Sequence, residues 1–360
     1  MALRAFGDTP YMPLLSLRPA ELRAIEELPE KTKDKLFPIV VLRPWLSANM
    51  LETGLERLAD AYNDRPTIVI VSALELSDTP RLVHEQLASL RLPAGGYAKW
   101  CQFIAARPNF VPAIQITDPG HIAEQISCFH ALGRGMAVIV DNRTLPGLRA
   151  LATVVGGLTD GGIDTCFVID LGKQTSDPLE RAVLVVAYCT SIRQHCPNAT
   201  IAISGSSFPA DFVGREQQEI YERTLFNAVV GQLGAEGLVY SDRGSVRAEK
   251  QSGGGLPKPR IDYPLDREWR FYRTETEGFP GYRDRATHLL RATRPDGARI
   301  FDAQIRVWGT LMIERTAAGD TSAIKTPARS TAARINLHLH RQTFYNDPVG
   351  LHDTDDEWAG

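Results

Sequence analysis

Long hydrophobic runs are missing from this chain. The longest uninterrupted apolar stretch, AVLVVAYC at residues 182–189, falls far short of the roughly 20 residues a membrane helix requires. No membrane partner is expected. The opening MALRAFGDTPYMPLLSLRP carries neither the apolar core nor the cleavage site of a secretory signal. Cysteine is scarce: five in 360 residues, with no CxxC spacing and mostly apolar neighbours. That pattern excludes a disulfide scaffold, gives a structural zinc site little support and predicts reduced thiols in a cytoplasmic protein. Excess charge is absent too: 40 basic against 43 acidic side chains leave a net charge of −3, so the chain as a whole is no polycation for nucleic acid. The GxGxxG turn, the HExxH helix and the second glycine of a GxSxG elbow do not occur, and no Gly-Lys-Ser/Thr follows the serine-rich turn at residues 204–207.

What the chain does have is one pattern, repeated. Apolar residues make up 43 % of it, enough for a sizeable core. Eight short apolar runs stand out: 37–42, 67–74, 110–116, 136–140, 166–169, 200–203, 237–240 and the more polar 269–272. Most are continuously apolar, as strands buried on both faces should be. Their starts lie mostly about thirty residues apart, room for a crossover helix. Amphipathic stretches at 49–63, 80–91, 119–133, 178–195, 215–234 and 281–292 fill the gaps, with a weaker, glycine-interrupted helix at 144–160. Alternating strands and helices predict a parallel α/β sheet, and eight units predict a (β/α)8 TIM-barrel-like domain over residues 1–300, with an open doubly wound sheet as the alternative. A Gly/Pro/Lys/Arg-rich insertion at 244–265 reads as a mobile loop. Residues 301–345 read as a C-terminal extension packed on the barrel, and 346–360 as a solvated acidic tail.

Each run ends in polar residues. In a barrel such ends open on the mouth, where ligands bind; the same side chains can also cap the helices that follow. The acidic set comprises Asp118, Asp141, Asp170 and Asp242, with Glu75 nearby. Converging carboxylates can hold Mg²⁺ or share acid–base work, so Asp141, Asp170 and Asp242 are the catalytic candidates if the chain is an enzyme. The basic and aromatic set comprises Arg43, Arg143, Lys173, Arg243, Arg270 and Arg273 with Trp45 and Trp269. Guanidinium groups bind phosphate and carboxylate in bidentate fashion. Ser206 and Ser207, in SGSSFPADF, add hydroxyls and backbone N–H groups at an expected helix start, which suits an anion. Arg43, Arg143, Lys173, Ser206, Ser207, Arg243 and Arg273 are therefore the ligand-binding candidates. His338 and His340, in HLH, would face one side of a strand and suit one metal, or else be core-edge histidines with structural partners.

Several stretches, in order, resemble the phage and bacterial "beta protein" family: YMPLLSLRPAELRAIEEL, KDKLFPIVVLRPW, ISGSSFP, LVYSDRGSV, IDYPLDREWRFYRTE and RSTAARINLHLHRQ. Two departures stand out. The second strand has PIVVLRP where the family often carries a carboxylate, and Leu339 separates the two histidines. The resemblance implies a barrel-like α/β domain and a role near phage–host conflict or mobile elements; it supplies no reaction. Two functions are expected from these residues. One is a binding or effector component of a bacterial or phage conflict system that recognises an anionic ligand at the barrel mouth. The other is a metal-dependent phosphoester hydrolase acting on a nucleotide or nucleic acid, with Mg²⁺ as cofactor. The expected partners are a nucleotide or nucleic acid and a protein encoded in the same operon.

Overall fold

The computed structural model describes residues 3–72, 79–248 and 257–354. Among them lie eleven strands: β1 (Leu14–Ser16), β2 (Ile39–Leu42), β3 (Thr67–Val71), β4 (Phe110–Pro112), β5 (Met136–Asp141), β6 (Thr165–Lys173), β7 (Thr200–Ser206), β8 (Gln217–Glu219), β9 (Leu238–Tyr240), β10 (Arg260–Pro264) and β11 (Glu268–Arg273). The fold is mixed α/β, and the chain divides into two compact units. The first takes residues 1–18, 36–206 and 221–243; the second takes 19–35, 207–220 and 244–360. That division differs from a boundary at residue 300.

The first unit holds two four-stranded parallel sheets, ordered β1-β2-β3-β4 and β5-β6-β7-β9. Isolated parallel bridges pair Ala113 with Ala137 and Tyr11 with Tyr240. The Ile114 N–H donates to Ala137 O at 2.9 Å, and the Met12 N–H to Tyr240 O at 3.0 Å. One apolar cluster takes Leu14, Ile39, Ile68, Val111, Ala137, Cys166, Ala202 and Val239, drawing on every strand of both sheets. Seven of the apolar runs seen in the sequence become these strands because their β-branched and aromatic side chains bury on both faces. The eighth parallel strand is β1, near the start of the chain, and not 269–272.

Helix Leu148–Leu158 shows what an interrupting glycine can be for. A Cβ on Gly156 would lie 2.0 Å from the carbonyl oxygen of His195, the last residue of helix Pro178–His195. The glycine is a contact point between helices, not a break in one. Cys101, Cys166, Cys189 and Cys196 are buried, Cys128 is half-buried, and all five are free thiols. Burial pushes Cys166 and Cys189 up to about 12.

The second unit corrects the reading of 269–272. β11 pairs antiparallel with β10 and β8 in a three-stranded sheet. Trp269 and Phe271 are buried, while Glu268, Arg270 and Tyr272 are half-buried. That alternation marks a strand with one covered face, unlike the solidly apolar runs of the first unit. Part of the expected insertion loop is strand β10; residues 249–256 lie outside the described residues. The presumed extension contributes helix Pro327–Thr343, in which every residue from Ala332 to Thr343 is buried. The acidic end is partly docked. Asp347 caps helix Pro348–His352 by accepting from the Gly350 N–H at 2.9 Å, and Asp353 pairs with Lys31. Residues 355–360 lie outside the described set. Among the described residues no helix is long and apolar enough to cross a membrane.

Candidate functional site

Successive side chains of a strand point to opposite faces, so each residue of the apolar cluster fixes the face of the residue two further on. On β6 the series Cys166, Val168 leads to Asp170. On β5, Ala137 and Ile139 lead to Asp141. On β7, Ala202 leads to Ser204, and after β9, Val239 leads to Ser241. Each series replaces apolar with polar side chains at the strand's C-terminal end. Asp141 stands in register with Asp170, and Asp170 with Ser204. The Ser241 N–H extends the ladder by donating to Ile203 O at 3.0 Å.

Arg243 reaches back to Asp170, and the two side chains form an ion pair at 22 % and 10 % exposure. Asp170 also accepts from the Gly172 N–H at 3.1 Å. Around this pair lie three buried polar atoms without a hydrogen-bond partner among the described residues: Ser204 Oγ, Ser241 Oγ and Arg243 Nε. An unmade bond of this kind costs about 1–3 kcal/mol per group. Ser204 and Ser241 come from neighbouring strands. They and the Arg243 Nε make a small polar patch with hydrogen-bonding capacity left unspent among the described residues.

Asp141 is occupied differently. Burial alone would raise its pKa, but hydrogen bonds from the Arg143 side chain and backbone and from Thr144 outweigh that and hold it below the usual carboxylate value. Arg143 Nε donates to Asp141 Oδ2 at 3.0 Å, and the Arg143 side chain is 84 % exposed. This is a closed local turn.

Asp242 does not join its expected partners. Its position falls on the face opposite Val239 and Ser241, the side of helix Tyr221–Leu233. There the Tyr240 hydroxyl donates to it at 2.8 Å, and the Tyr11 hydroxyl donates as well. Burial and then the Asp242 charge push both tyrosines up, so both stay protonated donors. The Arg223 guanidinium lies 3.2 Å over the Tyr240 ring. Asp242 is fully buried and structural in character. The three candidate catalytic aspartates are thus split between two faces. Among the described residues, no group of three or more His, Cys, Asp or Glu side chains is placed to hold a metal ion.

The remaining candidates scatter. Arg43 is half-buried at the end of β2, and Lys173 is exposed at the end of β6. Asp118 caps the short helix Pro119–His121 by accepting from the Gly120 N–H at 3.1 Å, the capping role its position allowed. Ser206 ends β7. Ser207 donates to Glu219 O at 3.0 Å, and the next element is strand β8, so the expected helix start for an anion is not there. Arg273 is exposed and pairs with Glu275 at 3.4 Å, and Arg270 pairs with Glu268 at 2.7 Å. Both sit on β11, in the second unit. Trp45 is half-buried, Trp269 is fully buried, and Glu75 lies outside the described residues.

His338 and His340 lie on a helix, where residues two apart point to nearly opposite sides, so they cannot share a metal. The His338 ring stacks on Trp269 at 5.8 Å. The His340 Nε2–H donates to Leu351 O at 2.9 Å. A carbonyl only accepts, so Nδ1 is the bare nitrogen, and it accepts from the Thr32 hydroxyl at 2.9 Å. Burial pushes His340 down to about 4.

Sequence reasoning passed over Ser204 and Ser241, although their signal was present: each is the first polar residue two steps beyond a core position on the same face. Comparison with known proteins identifies the same family. The Beta protein family model matches residues 11–344. The chain belongs to the Beta protein family. It is also 25 % identical over 367 residues to Protein beta of Enterobacteria phage P4, covering 98 % of each chain.

Proposed function

We propose that the two parallel sheets of the first unit work as one eight-stranded barrel whose mouth binds a small anion through Ser204, Ser241 and Arg243. In this reading the chain is a cytoplasmic binding or effector component of a phage or mobile-element conflict system. The barrel reading is supported by the bridges Ala113–Ala137 and Tyr11–Tyr240 and by one core shared among all eight strands. The binding reading rests on one observation: three buried polar atoms, set at the C-terminal strand ends beside the Asp170–Arg243 pair, have no hydrogen-bond partner among the described residues. Asp170 already offsets much of the Arg243 charge, so the patch suits a small oxyanion held by hydroxyls and one guanidinium edge. The phage relative supports the mobile-element setting. A hydrolase built on Asp141, Asp170 and Asp242 finds no such support, because Asp242 sits behind the strands under two tyrosine hydroxyls.

The test is calorimetric titration of the full chain with phosphate, sulfate and small carboxylates, alongside the double variant Ser204→Ala/Ser241→Ala. Neither hydroxyl has a hydrogen-bond partner among the described residues, so the double variant is at least as stable as wild type and loses at least tenfold in affinity for the anion that binds. Equal affinity in wild type and double variant rejects the reading, as does the absence of binding by any of these anions.

A further inference from the structure

The second unit gathers positive charge where a folded protein ordinarily avoids it. Arg247, Arg260 and Arg334 come from three separate segments. The Arg334 Cζ lies 4.0 Å over the Phe208 ring, the Arg260 Cζ 3.4 Å over Phe212, and the Arg247 Cζ 5.5 Å over Phe212. The two rings are themselves 5.7 Å apart. All three guanidiniums therefore crowd around one aromatic pair.

One buried carboxylate serves this cluster. Asp262 receives a bidentate pair from Arg260, with Nη2 at 2.9 Å, and Nη1 of Arg334 at 2.8 Å. Arg334 Nε donates to Ser245 Oγ at 3.2 Å. Arg247 donates from Nε to Pro209 O at 3.0 Å, and among the described residues it has no ion pair. Asp211, whose charge also acts on Arg247, is exposed. Arg334 and Asp262 are buried, while the Arg260 side chain is 20 % exposed and Arg247 is half-buried, so the cluster has a solvent-facing rim.

A guanidinium that has lost water and lacks a full counter-charge is costly unless an anion completes it. Among the described residues the balance is three cations against one buried anion. Burial, reinforced by Arg260, pulls Arg247 below its ordinary value, and burial brings Arg334 down to about 10. Stacking on phenyl rings covers guanidinium faces and leaves the N–H edges for recognition. We infer that Arg247, Arg260 and Arg334, with Ser245 beside them, form a second oxyanion site in the Beta protein fold, built for a multiply charged phosphate ligand such as a diphosphate group. Its chemistry differs from that of the proposed strand-end patch, which offers one guanidinium, already paired, and two hydroxyls.

Titration of the full chain with inorganic pyrophosphate tests it, using Arg247→Gln, Arg247→Lys and the double variant Ser204→Ala/Ser241→Ala. Arg247→Gln is expected to weaken pyrophosphate binding at least tenfold with the far-ultraviolet circular dichroism unchanged. Arg247→Lys retains part of the affinity, since the charge remains. The serine double variant keeps this binding intact, so failure of the strand-end reading leaves the result unaffected. Three results overturn the inference: no pyrophosphate binding by the wild type, equal affinity in wild type and Arg247→Gln, or binding of a single-stranded oligonucleotide with no response to pyrophosphate.

Discussion

The two units bury their residues on opposite terms. In the first, strand after strand buries aliphatic and aromatic side chains, and of the buried polar atoms left unpaired among the described residues, those of Ser204, Ser241 and Arg243 lie at or just past strand ends. In the second, the most deeply buried helix is full of polar and charged residues, and most of them are answered. Asn336 Nδ2 donates to Ala24 O at 3.0 Å while its Oδ1 accepts from the Gly309 N–H at 2.9 Å. Arg341 reaches Asp266 at 2.9 Å and the Tyr263 hydroxyl at 3.3 Å, and Gln342 reaches Asp266 O at 3.1 Å. A core of the first kind tolerates exchange of one apolar residue for another of similar volume. A core of the second kind depends on every partner being present, because an orphaned buried group carries its full desolvation cost.

That contrast can be broken at chosen points. The largest effect belongs to Asp262→Ala, which strands Arg334 and Arg260 together. We expect a loss of about 3–5 kcal/mol in chemical denaturation, the range for removing one member of a buried pair. A loss below 1 kcal/mol would mean that the arginines find water once the carboxylate is gone.

Next comes pH. His340 titrates at about 4 in the fold, against about 6.5 unfolded, because burial disfavours its charged form. Between those values the unfolded chain binds more protons. The stabilisation is therefore complete above pH 6.5 and is lost as pH falls toward 4, by about 3 kcal/mol in all. His340→Gln should flatten the decline of Tm over that window; an unchanged slope would assign acid sensitivity to other groups.

In the first unit, Gly156→Ala should cost about 1–3 kcal/mol, as overpacking does, because the added methyl meets the His195 carbonyl. If Tm is unchanged, the two helices part easily and the contact is not a constraint.

How much of this was legible beforehand follows the same division. The continuous apolar runs announced seven of the eight parallel strands, since burial on both faces leaves a mark in composition. β1 escaped notice as a strand of that series because only Leu14–Ser16 pair, too short for a pattern. In sequence 269–272 passes for a member of the series because an apolar run gives no direction; pairing of β11 with β10 and β8 decides it. Asp141 and Asp170 were legible as strand ends, and their shared face followed from counting by two. Asp242 lies one residue out of step with Ser241, and that single step put it behind the strands. HLH alternates as a strand does, and the flanking Arg334 to Gln342 look too polar for a buried helix, so the sequence hides the helix that holds His338 and His340.

What the sequence determined by itself was the α/β class, the absence of a long apolar helix, the family and the rough position of most strands. Each of these is written in local composition and spacing. Which carboxylates meet, which arginines crowd together and which polar residues vanish into the core were decided only by tertiary structure. Those outcomes depend on pairings between residues far apart in the chain, such as Asp170 with Arg243 and Asp262 with Arg334, and no local pattern encodes a partner some seventy residues away.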